Sequence, residues 1–488
     1  MGKASKPTTP VRIPTDTVIQ GNYFDDNAVY RSILLNPMLK FDDVLDAVKL
    51  KTSLERLLSR HDWRKLGGRI RLNEIGKLEF SIPKQFDDLR PGFSYSHEHF
   101  DIDILEHSVA SQIPKATSKP AVLVEAKKFV SLTRRPDAPS KLEDYLYSDE
   151  PQLGIHIVSF RDATLVSILW PHICGDASAA KAIFDAWSLV LQGRDDEIPP
   201  LHGFDNDPLA QLGLNPREKY SLVAKRLTVF QIIVFWIRHL FETLWGGDEG
   251  RVMCVPASFI TSQREKALQE LASGCHENEK QFLSESDVLC AWLAKLSISD
   301  LPKSSNRTVL ISNALDFRGL LAKDLLPGNG VHLGNAVMIV HAISTVRDVS
   351  RMPISETALA IRRGIEHLGT RDQLEAHQAL LRESIDKTKV PVVFGDATMN
   401  LIPFTNWSKA KYFETNFSGA VTKVGKPLEG RSNGKGIPSY AQNCTLNRGL
   451  SKFVIMGKDV EGNFWVTGFL RKGLWENISK MLERSPLE

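Results

Sequence analysis

At 488 residues the chain is longer than one ordinary hydrophobic core, so two domains are expected. Hydrophobic residues make up 42% and charged residues 24%, the balance of a soluble globular protein. The formal net charge is +3, from 61 basic and 58 acidic residues with no long basic stripe, which argues against nucleic acid as the main partner.

The five cysteines (Cys174, Cys254, Cys275, Cys290 and Cys444) form no C-x-x-C pair. An odd count without such pairs predicts free thiols and a reducing compartment. The opening MGKASKPTTPVRIPTDT lacks the apolar core of a secretory signal, so a cytoplasmic location is expected and the N-x-S/T sequons are read as chance matches. H-E-x-x-H is absent, and no metal is expected.

In chain order, LDAVKLKTSLERLLSRHDWRKLGGRIRL (Leu45 to Leu72) opens with apolar residues at helical spacing. Gly67 and Gly68 end that helix, and a strand over Arg69 to Leu72 follows. PAVLVEAKKFV and LGIHIVSFRD read as strands. TLVSILW, Thr164 to Trp170, reads as a buried strand that stops at Pro171. A helix is predicted from about Ser178 to Leu191, with Gly193 just past its end. The Pro-, Gly- and Asp-rich stretch from Gly193 to about Asn215 reads as a crossover.

The segment Leu227 to Trp245 is apolar, but Arg238 and His239 cut its run well short of a membrane span. It is read as a buried or interfacial helix. Beyond it come a strand (RVMCVPASF), a helix (TSQREKALQELA) and a second helix (FLSESDVLCAWLAKL) capped by Ser284 or Ser286. TVLISNALDFR and GNAVMIVHAIS are strands, helices run from about Ser355 to Lys387, and KFVIMGK and NFWVTGFL are the last strands. This alternation predicts an α/β chain with a mixed sheet in each half. The boundaries expected are an N-terminal domain over 1–194, a crossover over 195–250 and a C-terminal domain over 251–488.

Chemistry points to His172-Ile-Cys-Gly-Asp176, at the mouth of a strand before a turn and a helix. A neutral imidazole, with an ordinary pKa of about 6.5, can take a proton from a hydroxyl near neutral pH. Removal of that proton makes an alcohol a competent nucleophile. Asp176 can orient the loop or the ring through charge-assisted bonds. On the bare motif, a partly buried histidine beside a helix-start aspartate is an equal alternative. Gly175 fits a turn that needs positive φ or a close approach.

These residues stand among further segments in a set order. RKLGGRIR, HICGDASAA, FLSESDVLCAWLAK, NALDFRGLL, LPGNGVHLGNAV and TNWSKAKYFETNFSGA run from Arg64 to Ala420. Together they resemble the BAHD acyltransferase family, in the branch of fungal secondary metabolism that includes the trichothecene acetyltransferases, with matches from about residue 30 to about residue 470. The resemblance implies two domains of similar topology, like chloramphenicol acetyltransferase, with an active-site channel between them. It implies O-acyl transfer, with acetyl the first expectation, from acyl-CoA to a hydroxyl of a small metabolite such as a terpenoid or polyketide. No permanently bound cofactor is expected, and a monomer is.

Carried onto this chain, the resemblance makes His172 the general base and Asp176 a structural residue paired with Arg318. Arg318 has nearby Asp316, or solvent, as its alternative. Thr405 and Trp407 match positions whose hydroxyl and indole N–H face the oxyanion; an ordinary turn with Trp407 in the core is the other reading. The family's D-F-G-W-G, regarded as structural, is degraded here, where Asn416, Phe417, Ser418, Gly419 and Ala420 stand. In the basic, Gly-rich run from Lys423 to Gly436, Lys423 and Lys426 are candidate contacts for CoA phosphates, against a plain solvated loop. A non-catalytic acyl-CoA or small-ligand binder and a condensation-type amide-forming enzyme are the alternatives. The latter's paired histidine is missing, because Pro171 precedes His172.

Overall fold

The computed structural model describes residues 9–273, 281–425, 431–444 and 452–484, with the side chains of 242–246 excepted. Cys275 and Lys426 lie outside the described residues. Strands of the first half are β1 (Pro37–Phe41), β2 (Ser94–His99), β3 (Ala121–Glu125), β4 (Gly154–Ser159) and β5 (Thr164–Pro171). Those of the second half are β6 (Asp248–Val255), β7 (Thr308–Asp316), β8 (Val337–Thr345), β9 (Asn400–Asn406), β10 (Pro438–Asn443), β11 (Phe453–Lys458) and β12 (Phe464–Arg471).

One large sheet has the order β10-β1-β5-β4-β2, with Leu34–Leu35 added against the end of β5. The other has the order β8-β7-β9-β11-β12-β6-β3. Both are mixed: β2 runs parallel to β4, and β9 runs parallel to β7 and β11, while the remaining pairs are antiparallel. The halves exchange strands. β3, from the first half, is the edge of the second sheet, paired with β6. β10, from the second half, is the edge of the first sheet, paired with β1. Strand periodicity reports which face is buried but carries nothing about the pairing partner, so this exchange is not legible locally.

The helices that matter for the site are α1 (Ala47–Leu58), α2 (Ala177–Leu191), α3 (Val229–Gly246), α4 (Ala257–Ser273), α5 (Glu285–Ser297), α6 (Ile354–Leu368) and α7 (Arg371–Thr388). Helix α2 starts at the N-cap Asp176, whose carboxylate accepts from the Ala179 N–H at 3.0 Å. Ala179, Ala180, Ile183, Phe184, Ala186 and Trp187 of α2 are all buried in the core under the first sheet. Trp187 Nε1 donates to Ser53 Oγ of α1 at 2.8 Å, which satisfies a polar atom inside that core. Helices α4, α5 and α6 cover the second sheet. Ser284 is the cap of α5, in a reciprocal capping box with Asp287. His367 closes α6 and His377 sits on α7, so they lie on separate helices.

Candidate active site

Strand β5 is buried along its whole length and carries His172 out of its C-terminal end. The His172 N–H donates to Ile33 O at 3.0 Å, and its carbonyl accepts from Asn335 Nδ2 at 2.8 Å. The Tyr30 ring stacks on the imidazole, with centroids 4.6 Å apart and planes 22° off parallel. Nδ1 is buried without a hydrogen bond to another residue. Burial holds the imidazole below its usual range, countered in part by its own carbonyl and by Asp176. The ring is therefore neutral near pH 7, the form in which a histidine accepts a proton.

Gly175 is required by the turn. Its φ is +151°, and a Cβ there would lie 1.9 Å from Leu333 O and 2.8 Å from the Trp170 ring. No side chain fits that gap.

The Asp176 carboxylate is the hub of the loop, bonded to Ala179, Arg318 and Ala336. Arg318 grips it with two parallel bonds, Nη1 to Oδ2 and Nη2 to Oδ1, both 3.0 Å. Ala336 N–H donates to Oδ2 at 3.0 Å. Burial alone would raise this carboxyl, but the Arg318 charge and these bonds outweigh it and hold the pKa below the usual value. Arg318 also meets Asp316 Oδ2 at 3.0 Å and Gly334 O at 2.7 Å. Both partners considered for it from the sequence are thus engaged at once. Ser178 Oγ donates to Asp316 Oδ2 at 2.7 Å, which ties the start of α2 to the end of β7.

Three further residues shape this loop's surroundings: Asp25, Tyr30 and Asn335. Asp25 accepts from the Asn335 N–H at 2.9 Å and from Asn335 Nδ2 at 2.8 Å, and Nδ2 also holds the His172 carbonyl. Burial pushes the Asp25 carboxyl up to about 7. Tyr30 is the stacking partner. Asn335 lies within the quoted LPGNGVHLGNAV segment, which could have flagged it; Asp25 and Tyr30 had no such marker.

Thr405 lies at the C-terminal end of β9, beside β7, the strand that leads to Asp316 and Arg318. Trp407 follows, 5% exposed, its ring stacked on Tyr412 at 5.5 Å, and the Tyr412 hydroxyl donates to Ala177 O at 2.9 Å. This segment is packed onto the start of α2.

The degraded Asn416–Ala420 stretch lies elsewhere. Phe417 is fully buried between Phe41 (5.5 Å) and Trp187 (4.9 Å). Asn416 O accepts from Ser188 and Gln192, at the far end of α2, and a Cβ on Gly419 would meet Leu191 O at 2.2 Å. Twelve residues of helix separate Asp176 from Ser188, roughly 18 Å. The segment props the helix and does not touch the histidine loop. In the basic run, Lys423 Nζ donates to Arg161 O at 3.1 Å, and Arg431 forms a buried pair with Asp43 at 2.9 Å.

Compared with solved structures, the fold is similar to that of TRI101 from F. sporotrichioides complexed with coenzyme A and T-2 (TM-score 0.69, 16% identity, 96% of this chain and 97% of that one). This is a two-sheet acyltransferase fold. No family model matches the chain. Among relatives, the acetyltransferase adrJ of Penicillium rubens is 34% identical over 99% of this chain and 98% of its own length. A Penicillium decumbens protein named transcriptional regulator calD is 41% identical over 100% of this chain and 99% of its own. The chain belongs to the fungal BAHD-type acyltransferases, which are acyl-CoA-dependent enzymes that acylate hydroxyls.

Proposed function

We propose that His172 is the general base of an O-acetyl transfer from acetyl-CoA to a hydroxyl of a small lipophilic metabolite of the terpenoid or polyketide kind. The observation that carries this reading is the imidazole itself: neutral, stacked on Tyr30, and presented at the end of a buried strand by a loop that Asp176 and Arg318 lock. With Nδ1 turned inward, Nε2 is the nitrogen that takes the acceptor O–H proton. The acceptor oxygen then attacks the thioester carbonyl, the C–S bond breaks, and the CoA sulfur leaves with the proton that Nε2 returns. The oxyanion formed on the way needs a donor. Thr405 and Trp407 are the proposed donors. Thr405 is favoured because it directly follows the residues of β9 that pair with β7, whereas the Trp407 ring is committed to packing on Tyr412.

A covalent route through Cys174 is disfavoured, because burial pushes its thiol well above the usual range and the thiolate is the nucleophile. Direct transfer in a ternary complex follows. Lys423, exposed on a short strand, is the candidate for a CoA phosphate.

The test is turnover of acetyl-CoA with a panel of hydroxylated terpenoids and polyketides, read by mass spectrometry. His172→Ala should lower kcat by on the order of a hundredfold to ten-thousandfold with an unchanged melting temperature. Cys174→Ala should keep most activity. Near wild-type turnover by His172→Ala, or an acyl mass shift on the enzyme with donor alone, would overturn the mechanism.

A further inference from the structure

Helix α3 packs one side onto the second sheet and leaves the other side uncovered. Phe235, Ile232 and Trp236 rest against Leu310 of β7 and Met399 and Leu401 beside and on β9. The opposite face presents Phe230 (74% exposed), Ile233 (50%), Ile237 (62%), Leu240 (58%) and Phe241 (56%). At 100° per residue these positions fall within one arc of the helix. The apolar surface continues beyond the helix. Ile343 of β8 sits directly opposite Leu310 in the antiparallel pair, hence on the same face of the sheet, and is 40% exposed; Ile339, four residues back on that face beyond His341, is 38% exposed. Five exposed large aliphatic and aromatic side chains on one arc of a helix mark an interaction site.

Charge decides the occupant. At the N-terminal end of α3, Arg226 ties the chain to Glu383 near the C-terminal end of α7, and Leu227 N–H bonds Val393 O. Lys225, Lys387 and Lys389 gather there. Of the acids at that end, Glu383 is paired with Arg226 and Lys387, while Asp386 accepts from the Tyr23 hydroxyl and keeps its charge. Lys225 and Lys389 are exposed and carry no ion pair among the described residues. Lys472, also exposed, lies at the other end, its N–H on Gly247 O, with Asp248 beside it. A second copy with its helix parallel would set Lys225 and Lys389 against their own counterparts, and only an antiparallel copy would bring them to Lys472 and Asp248. A lipid surface with anionic headgroups fits both features at once, since the apolar face enters the acyl boundary and the lysines reach up to the phosphates.

We infer that α3 seats the protein on an anionic membrane surface, lying in the interface. No helix among the described residues is long and apolar enough to cross a membrane. The inference stands apart from the acyl-transfer reading, because it concerns a face of the second sheet and not the His172 loop.

The experiment is co-sedimentation of the full chain with vesicles of phosphatidylcholine alone and of phosphatidylcholine with phosphatidylserine. The wild-type protein, and His172→Ala equally, should sediment with the mixed vesicles and much less with the neutral ones. A Phe230→Ser, Ile237→Ser, Phe241→Ser triple variant should partition at least tenfold less, with its circular dichroism and melting temperature unchanged. Lys225→Glu with Lys389→Glu should weaken binding to the serine lipid by about tenfold or more, while weak binding to neutral vesicles persists. Failure of the wild-type protein to sediment with mixed vesicles, or equal partition of the triple variant, would overturn the inference. So would a concentration-dependent dimer in light scattering that the triple variant dissolves, which would make a second copy the occupant.

Discussion

Arg318 distributes its guanidinium over Asp176, Asp316 and main-chain carbonyls, and this makes the histidine loop a rigid object. Removing one partner of such a buried pair leaves the other charge uncompensated, which costs about 3–5 kcal/mol. Asp176→Asn should therefore lower the melting temperature as well as the rate, and Arg318→Met should do the same. Because the two side chains act as one pair, the double variant should lose clearly less stability than the sum of the singles. A denaturant series on the three proteins checks this, and strict additivity would break the pairing. The motif around His172 and Asp176 was legible because its parts are close in sequence. Arg318 was legible only through the family resemblance, with Asp316 an equal partner on spacing alone. Asp25 and Tyr30 could not be read, since a buried carboxyl and a stacked phenol look like any surface residue until the chain is folded.

At the scale of elements, local periodicity was enough to place β5, α2, α5 and the final strands, because each buries a face whose spacing the sequence displays. The exchange of β3 and β10 between the sheets was not readable, since pairing depends on residues hundreds of positions away. The Asn416–Ala420 stretch shows the same limit. The missing aspartate and tryptophan of the family pattern leave Phe417 holding helix α2 from its C-terminal half, against Phe41, Phe184 and Trp187. Phe417→Ala would open a cavity in that aromatic cluster, and such truncations cost about 3–5 kcal/mol. The folded fraction should keep its kcat, because the proposed site at His172 lies at the other end of the helix. A variant with normal stability and a large loss of kcat would instead assign this segment to catalysis.

Over the whole molecule, the buried titratable groups set how stability depends on pH. Burial lowers His156 and His377 to about 4, and His332 and His341 to about 3. In the unfolded chain each returns to about 6.5. Between these values the unfolded state binds more protons, so each histidine makes the fold less stable as pH falls below 6.5. Asp25 acts in the opposite sense. Its folded pKa of about 7 exceeds the ordinary 3.8, so its contribution grows as pH falls through 7 and is complete below 3.8. These histidines outnumber the one aspartate, so unfolding takes up protons and the fold loses stability as pH falls from 6 towards 4. Asp176, held down by Arg318, adds to the loss only once pH approaches its ordinary carboxyl range. Urea denaturation at pH 7.5, 6 and 5 should therefore show a small change over the first step and a steep fall in midpoint over the second. His377→Gln keeps a polar ring-sized group in place without a titrating proton, and should flatten that fall by about one proton. An unchanged midpoint between pH 6 and 5 would mean that these imidazoles are solvated or charged in the native protein, against the burial from which the prediction is built.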